Sequence, residues 1–136
     1  MADISQTAAS VTWVSGVREI VGKGGGTGTP GQSVYLDTTT NTYKLADADT
    51  DIESVVAGIL LDNMVSGRPC LIAPPGAVIN WGATLTAGTI YVQSTTPGGV
   101  APWADLAAGD YVNVLCIGAG TGNAEVIAKR GTAVHA

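Results

Sequence analysis

The residues with the most evident chemistry are the acids of Asp47-Ala48-Asp49-Thr50-Asp51-Ile52-Glu53, which alternate as they do at the start of a calcium loop. An EF-hand needs Gly at its sixth position and a bidentate Glu at its twelfth. Ile52 and Gly58 stand there instead, so the run reads as a solvated acidic turn with one helical turn at most. A calcium contact of another kind at a subunit edge stays open. Gly26-Thr27-Gly28-Thr29-Pro30-Gly31 has the spacing of a dinucleotide fingerprint, but that motif must open a helix whose N-terminus holds the pyrophosphate. Here a β-type run follows, Pro30 lacks a backbone donor, and Lys23 lacks the Ser or Thr of a P-loop. The stretch 22–31 therefore reads as a mobile surface loop. The single histidine, His135, is penultimate, where nothing would hold an imidazole for a Ser-His-Asp or Cys-His relay. Cys70, Cys116 and His135 have no close-spaced partners for zinc. Paired carboxylates for glycoside cleavage would need sugar-stacking aromatics such as Trp13, Trp81 and Trp103, although Trp serves more often as a buried anchor. No enzymatic activity, metal or cofactor is expected.

The elements that position these residues read as strands. The chain has 136 residues, 46% hydrophobic and 12% charged, with 19 Gly, three Trp, four Tyr and no Phe. That length forms one domain with a core of its own, and low charge with abundant Thr, Val and Gly favours an all-β fold. A mean hydropathy of +0.29, with no run near the roughly 20 apolar residues of a spanning helix, implies apolar surface covered by partners. The opening Met1-Ala2-Asp3-Ile4-Ser5-Gln6 has no basic segment followed by an apolar run, so no secretory leader is expected. Residues 1–12 read as an extended N-terminal arm and 13–136 as a single β-domain. Residues 12–21 form a first strand, with Trp13 and Val17 on one face and Val14 and Ile20 on the other. Further strands are expected at 33–37, 42–46, 54–61, 68–73, 77–81, 89–94, 99–103, 111–118 and 124–129, separated by turns such as Thr40-Asn41, Pro74-Pro75-Gly76 and Pro97-Gly98-Gly99. Cys70 and Cys116 fall inside apolar strands and read as buried free thiols.

The spacing also contains a repeat. Val34-Tyr35-Leu36 and Thr39-Thr40 match Ile90-Tyr91-Val92 and Thr95-Thr96 at an offset of 56. Val56 and Ile59 match Val112 and Leu115 at the same offset, whereas the Ala-Asp pairs at 46–47 and 104–105 need 58. Each copy reads as strand, Thr-rich turn, short apolar segment, acidic turn and strand. The expected fold is a small β-barrel or β-sandwich of two related halves, about 31–76 and 85–130. Tyr35 and Tyr91 should occupy comparable places, with strands 54–61 and 111–118 in the core.

The wording Gly31-Gln32-Ser33-Val34-Tyr35-Leu36-Asp37, Tyr43-Lys44-Leu45-Ala46-Asp47-Ala48-Asp49 and Val56-Ala57-Gly58-Ile59 resembles the decoration, or cement, proteins of tailed-bacteriophage heads. Leu85-Thr86-Ala87-Gly88-Thr89-Ile90-Tyr91-Val92 and Gly98-Gly99-Val100-Ala101-Pro102 are similar to the same group, and related phrasing occurs in fibre or tail modules. The resemblance implies a structural virion component, made in the host cytoplasm, that binds the outer capsid surface. Its partners would be the major capsid protein and further copies of itself in a homotrimer. A net charge of −5, a pI near 4.4 and six scattered basic residues argue against nucleic acid as a partner and favour a place outside the shell. No membrane partner is expected. The alternative is a carbohydrate- or receptor-binding module of a fibre or tail, with exposed Trp or Tyr stacking on sugars. Ile4, Val11 and Trp13 are the candidate capsid or oligomer contacts. If the arm orders only on a partner, deleting residues 2–11 leaves the melting of the free protein unchanged.

Overall fold

The computed structural model describes residues 3–49 and 55–134. Its strands are β1 (Val11–Ser15), β2 (Glu19–Lys23), β3 (Ser33–Asp37), β4 (Thr42–Leu45), β5 (Gly58–Leu60), β6 (Pro69–Ala73), β7 (Val78–Trp81), β8 (Ile90–Gln93), β9 (Val100–Pro102), β10 (Tyr111–Ile117), β11 (Asn123–Glu125) and β12 (Lys129–Val134). The helical content among the described residues is two 3-10 turns, Ala8–Ser10 and Trp103–Asp105. The fold is all-β, as the composition requires, but it is not a closed barrel. Three sheets form instead, ordered β2-β6-β5-β3-β4, β12-β10-β8-β9 and β1-β7-β11, with every ladder antiparallel. The five-stranded sheet curls until Gly24 reaches Tyr43, yet only an isolated bridge forms there, so β2 and β4 remain edges.

The repeat is visible in the ladders. The run β6-β5-β3-β4 is matched by β12-β10-β8-β9. Tyr35 faces Lys44 as Tyr91 faces Pro102, and Leu36 faces Tyr43 as Val92 faces Ala101. The first strand of each half is therefore offset by 56 and the second by 58, because the second hairpin turn is two residues longer. The third strand departs from the sequence alignment. Val34 faces Gly58 whereas Ile90 faces Ile117, an offset of 59, so Val56 and Ile59 are not the ladder equivalents of Val112 and Leu115. A bulge between Val114 and Cys116 accompanies this slip.

Tyr35, Ile59, Ile79, Trp81, Tyr91 and Leu115 come from all three sheets and share one core. Each fully buried aliphatic side chain there contributes roughly 1.5–3 kcal/mol relative to exposure. The two tyrosines occupy comparable places, 5% and 3% exposed. Trp81 anchors the three-stranded sheet, its indole N–H donating to the Ala124 carbonyl at 3.1 Å.

Four segments differ from their sequence reading; the expected core strand 54–61 is a strand only at Gly58–Leu60, and Val55 is exposed. The expected strand 12–21 is broken at Gly16, whose φ of 86° an L side chain resists, and its two pieces join different sheets. The glycine-rich stretch is no mobile loop: a Cβ on Gly24 would lie 2.7 Å from Met64 Cγ, and one on Gly28 would lie 2.8 Å from Leu60 Cδ1. Its glycines admit close packing of backbone against side chains. The expected strand 124–129 divides between β11 and β12 at Ala128, where φ is 46°.

Between the halves lies a buried polar node. The Ser33 hydroxyl donates to Gln93 Oε1, and Gln93 Nε2 donates to the carbonyls of Ala46 at 2.9 Å and Ser94 at 3.1 Å. Gly98 N–H also donates to the Ala46 carbonyl at 2.7 Å, and Ala48 N–H donates to the Ser94 carbonyl at 3.0 Å. Gln93 is fully buried. Its counterpart in the first half, Asp37, is paired at 2.8 Å with Lys44 near the surface. Gln93→Leu should leave buried polar groups of both halves unsatisfied, lowering stability by about 2–4 kcal/mol in urea unfolding.

Candidate interaction surface

The N-terminal segment is extended, with Ile4, Gln6 and Ala8 turned inward and Asp3, Ser5 and Thr7 outward. It is bound to its own domain. Ile4 N–H donates to the Val100 carbonyl at 2.8 Å, Thr7 N–H to that of Gly82 at 2.8 Å, and Gln6 Nε2 to that of Trp81 at 2.8 Å. The Ser94 hydroxyl donates to the Asp3 carboxylate. The fit depends on glycine: Gly82 has φ of 76°, and a Cβ there would stand 2.6 Å from the Thr7 carbonyl oxygen. Ile4 packs against the main core and Val11 is 6% exposed, so both side chains are engaged within the domain rather than presented to a partner. The expected free arm is thus a strap from β9 to the end of β7. It docks because backbone carbonyls at Val100, Trp81 and Gly82 accept its donors.

Trp13 has the opposite placement. From Thr12 to Ile20 every residue is exposed, and both β1 and β2 are edge strands. Val14, Val17 and Ile20 join Trp13 in exposure, Ile20 at 78%. The Arg18 guanidinium lies 4.5 Å from the centre of the Trp13 ring, an attraction that sets a positive charge beside the apolar surface. The sequence signal was present in a segment apolar on both strand faces. Such a pattern fits a doubly covered strand, and among the described residues nothing covers it.

A second apolar surface, unmarked by any motif, lies at the end of the four-stranded sheet. Ile90 and Ile117 are directly paired and exposed, and exposed Trp103 follows Pro102, the partner of Tyr91. Ile117, Ile90 and Trp103 therefore form a row across three chain segments.

Among the described residues, those first weighed for chemistry are not assembled. Among the described residues, no group of three or more His, Cys, Asp or Glu side chains is placed to hold a metal. Asp47 Oδ1 accepts the Asp49 N–H at 2.9 Å, closing a turn, while Thr50–Ser54 and His135 lie outside the described residues. Shallow grooves occur beside the strap, at Gln6, Gln32 and Pro97, and between β2 and the β3–β4 turn, at Lys23, Asn41 and Tyr43. Cys70 and Cys116 are both free and buried. Burial raises both thiols, Cys116 to about 12, since a low-dielectric surrounding disfavours the thiolate. Among the described residues no helix is long and apolar enough to cross a membrane. Comparison with family models, curated proteins and solved structures finds no match for the chain.

Two measurements follow from this geometry. Deleting residues 2–11 should lower the melting temperature of the free protein by about 10 °C, from the loss of about 3 kcal/mol of apolar burial and hydrogen bonding. With the Cys116 thiol protonated until about pH 12, a thiol reagent at pH 8 should titrate neither cysteine in the native protein and both after denaturation.

Proposed function

We propose that this chain is a structural binding module, a capsid decoration protein of a tailed bacteriophage. It binds the outer surface of the shell and bridges major capsid subunits, with itself, as a homotrimer, as the other partner. The observation that carries this reading is the exposed stretch Thr12–Ile20, which leaves Trp13, Val14, Val17 and Ile20 uncovered on and between two edge strands. An apolar surface with unpaired backbone groups favours docking onto protein. Each bound copy adds its binding energy to the assembled shell and shifts the equilibrium away from disassembly. The acidic balance of the chain, net −5, suits the side away from packaged nucleic acid.

The carbohydrate-binding alternative draws support from exposed Trp13 and Trp103 and from the groove beside Tyr43. Cosedimentation with expanded tailed-phage capsids stripped of their decoration protein tests the first reading. The wild-type chain should bind and raise the temperature at which the shells disrupt, and Ile20→Asp should weaken binding at least about tenfold. Absence of binding, together with glycan-array signals abolished by Trp103→Ala, would replace this reading with the carbohydrate one.

A further inference from the structure

The five-stranded sheet curls around a small core of its own. Val34, Leu60, Met64, Cys70 and Ile72 fill it, and Val21, Tyr43 and Leu45 pack against them. The curl brings the edges β2 and β4 together at Gly24, which bridges to Tyr43, while the Gly25 N–H donates to the Tyr43 carbonyl at 2.8 Å. Elsewhere the two edges do not pair. A cleft of about 470 Å³ lies there, with Gly22 and Lys23 on one side and Leu36 and residues 40–43 on the other. Small-molecule sites run from about 300 to 1,000 Å³ and favour the mouths of β-barrels, the place this cleft occupies on the half-closed sheet.

The floor of the cleft is apolar. Leu36 and Tyr43 are ladder partners, and Gly22 leaves the tyrosine ring uncovered. A Cβ on Gly22 would lie 3.6 Å from Tyr43 Cε2, at ordinary contact distance, so a side chain there would fit and would close over the ring. The rim is polar and largely unused. The Thr40 and Thr42 hydroxyls bond to each other at 2.7 Å, which engages one of their two O–H protons and leaves the other free. Among the described residues, the side chains of Lys23, Asn41 and Tyr43 have no hydrogen-bonding or ionic partner.

The charge of the lining runs against that of the chain. The net charge is −5, yet the cleft is lined by a lysine and no carboxylate. Asp37, next to Leu36, is already matched by Lys44 at 2.8 Å, and Glu19 stands at the opposite end of β2 from Lys23. An uncovered aromatic ring takes the C–H face of a sugar, while free amide and hydroxyl groups around it meet the sugar hydroxyls. A lone ammonium at the rim adds a preference for an anionic substituent.

We infer that this cleft binds an acidic saccharide, with a sugar ring on Tyr43, hydroxyls at Asn41 and the threonine pair, and the carboxylate at Lys23. Such a site rests on the saccharide reading and narrows it to a charged ligand, held in the half of the molecule that lacks Trp103. Binding to the shell plays no part in it.

Magnetic-resonance titration of the isotope-labelled full chain tests this, with trigalacturonate and sialyllactose as acidic probes and trigalacturonate methyl ester and lactose as neutral ones. At least one acidic probe should shift the backbone signals of Gly22, Lys23, Asn41 and Tyr43. Its neutral counterpart should bind about fivefold more weakly, the measure of one solvent-exposed ion pair. Lys23→Gln should erase that difference. Gly22→Leu should weaken binding of every probe at least about tenfold, with an unchanged circular dichroism spectrum, because Gly22 is exposed. Trp103→Ala and Ile20→Asp should bind like wild type, which separates this cleft from an aromatic site at Trp103 and from the capsid-binding stretch. Silence at Gly22 and Asn41 with both acidic probes overturns the inference. Equal binding of acid and neutral counterpart by the wild type, or full binding by Gly22→Leu, overturns it too, as does loss of binding in Trp103→Ala.

Discussion

The side-chain amide of Gln93 sits where the two halves meet, and its bonds tie structure on both sides to one buried group. Through Ser33 it holds β3 of the five-stranded sheet, and through Ala46 it holds the chain leaving β4. In a dry interior each of these polar atoms would be costly without its partner, so the halves can approach only in the arrangement that satisfies them all. The turn at Gly98 and the segment through Ala48 add backbone bonds to the same junction. Apolar burial of Tyr35, Tyr91, Ile59 and Leu115 supplies most of the driving force. The amide selects which of many apolar contacts are compatible.

Once the halves are set, their ends create the track for the N-terminal segment. Val100 belongs to the second half, whereas Trp81 and Gly82 close the third sheet, so the strap links parts that the core already brings together. Its docking protects backbone carbonyls that would otherwise need water. The same geometry explains why Ile4 and Val11 serve the fold while Trp13, two residues past Val11, serves the surface. At β1 the chain passes from a strap lying on the domain to an edge strand laddered to β7, where Trp13 is left exposed.

Unequal covering of two similarly laddered halves accounts for the external character of the molecule. The ladder positions agree closely between halves, yet β2 and the cluster around Met64 are attached to one half only. The exposure of Ile90 and Ile117 in the second half is a consequence of that asymmetry. The low charge content has the same meaning, since such a surface is poorly suited to a solitary chain and well suited to a shared interface.

The all-β character, most strand positions and the tyrosine correspondence were legible in the sequence, because period-two patterning and turn residues are local properties. Even the two-residue difference between the hairpin turns showed in the offset of 58 that the Ala-Asp pairs at 46–47 and 104–105 required. The slip of the third strand was not legible, because Val, Ile and Leu serve equally well on either side of an apolar ladder and only pairing sets the register. Glycines at 24 and 28 read as slack, whereas their bareness answers to Met64 and Leu60, distant in sequence. Among the candidate contacts, Ile4, Val11 and Trp13 were alike as apolar residues near the N-terminus. Tertiary structure alone separated the first two, packed into the domain, from the third, left exposed. An apolar side chain records that it needs cover, but whether its own chain provides that cover depends on where every other element has folded.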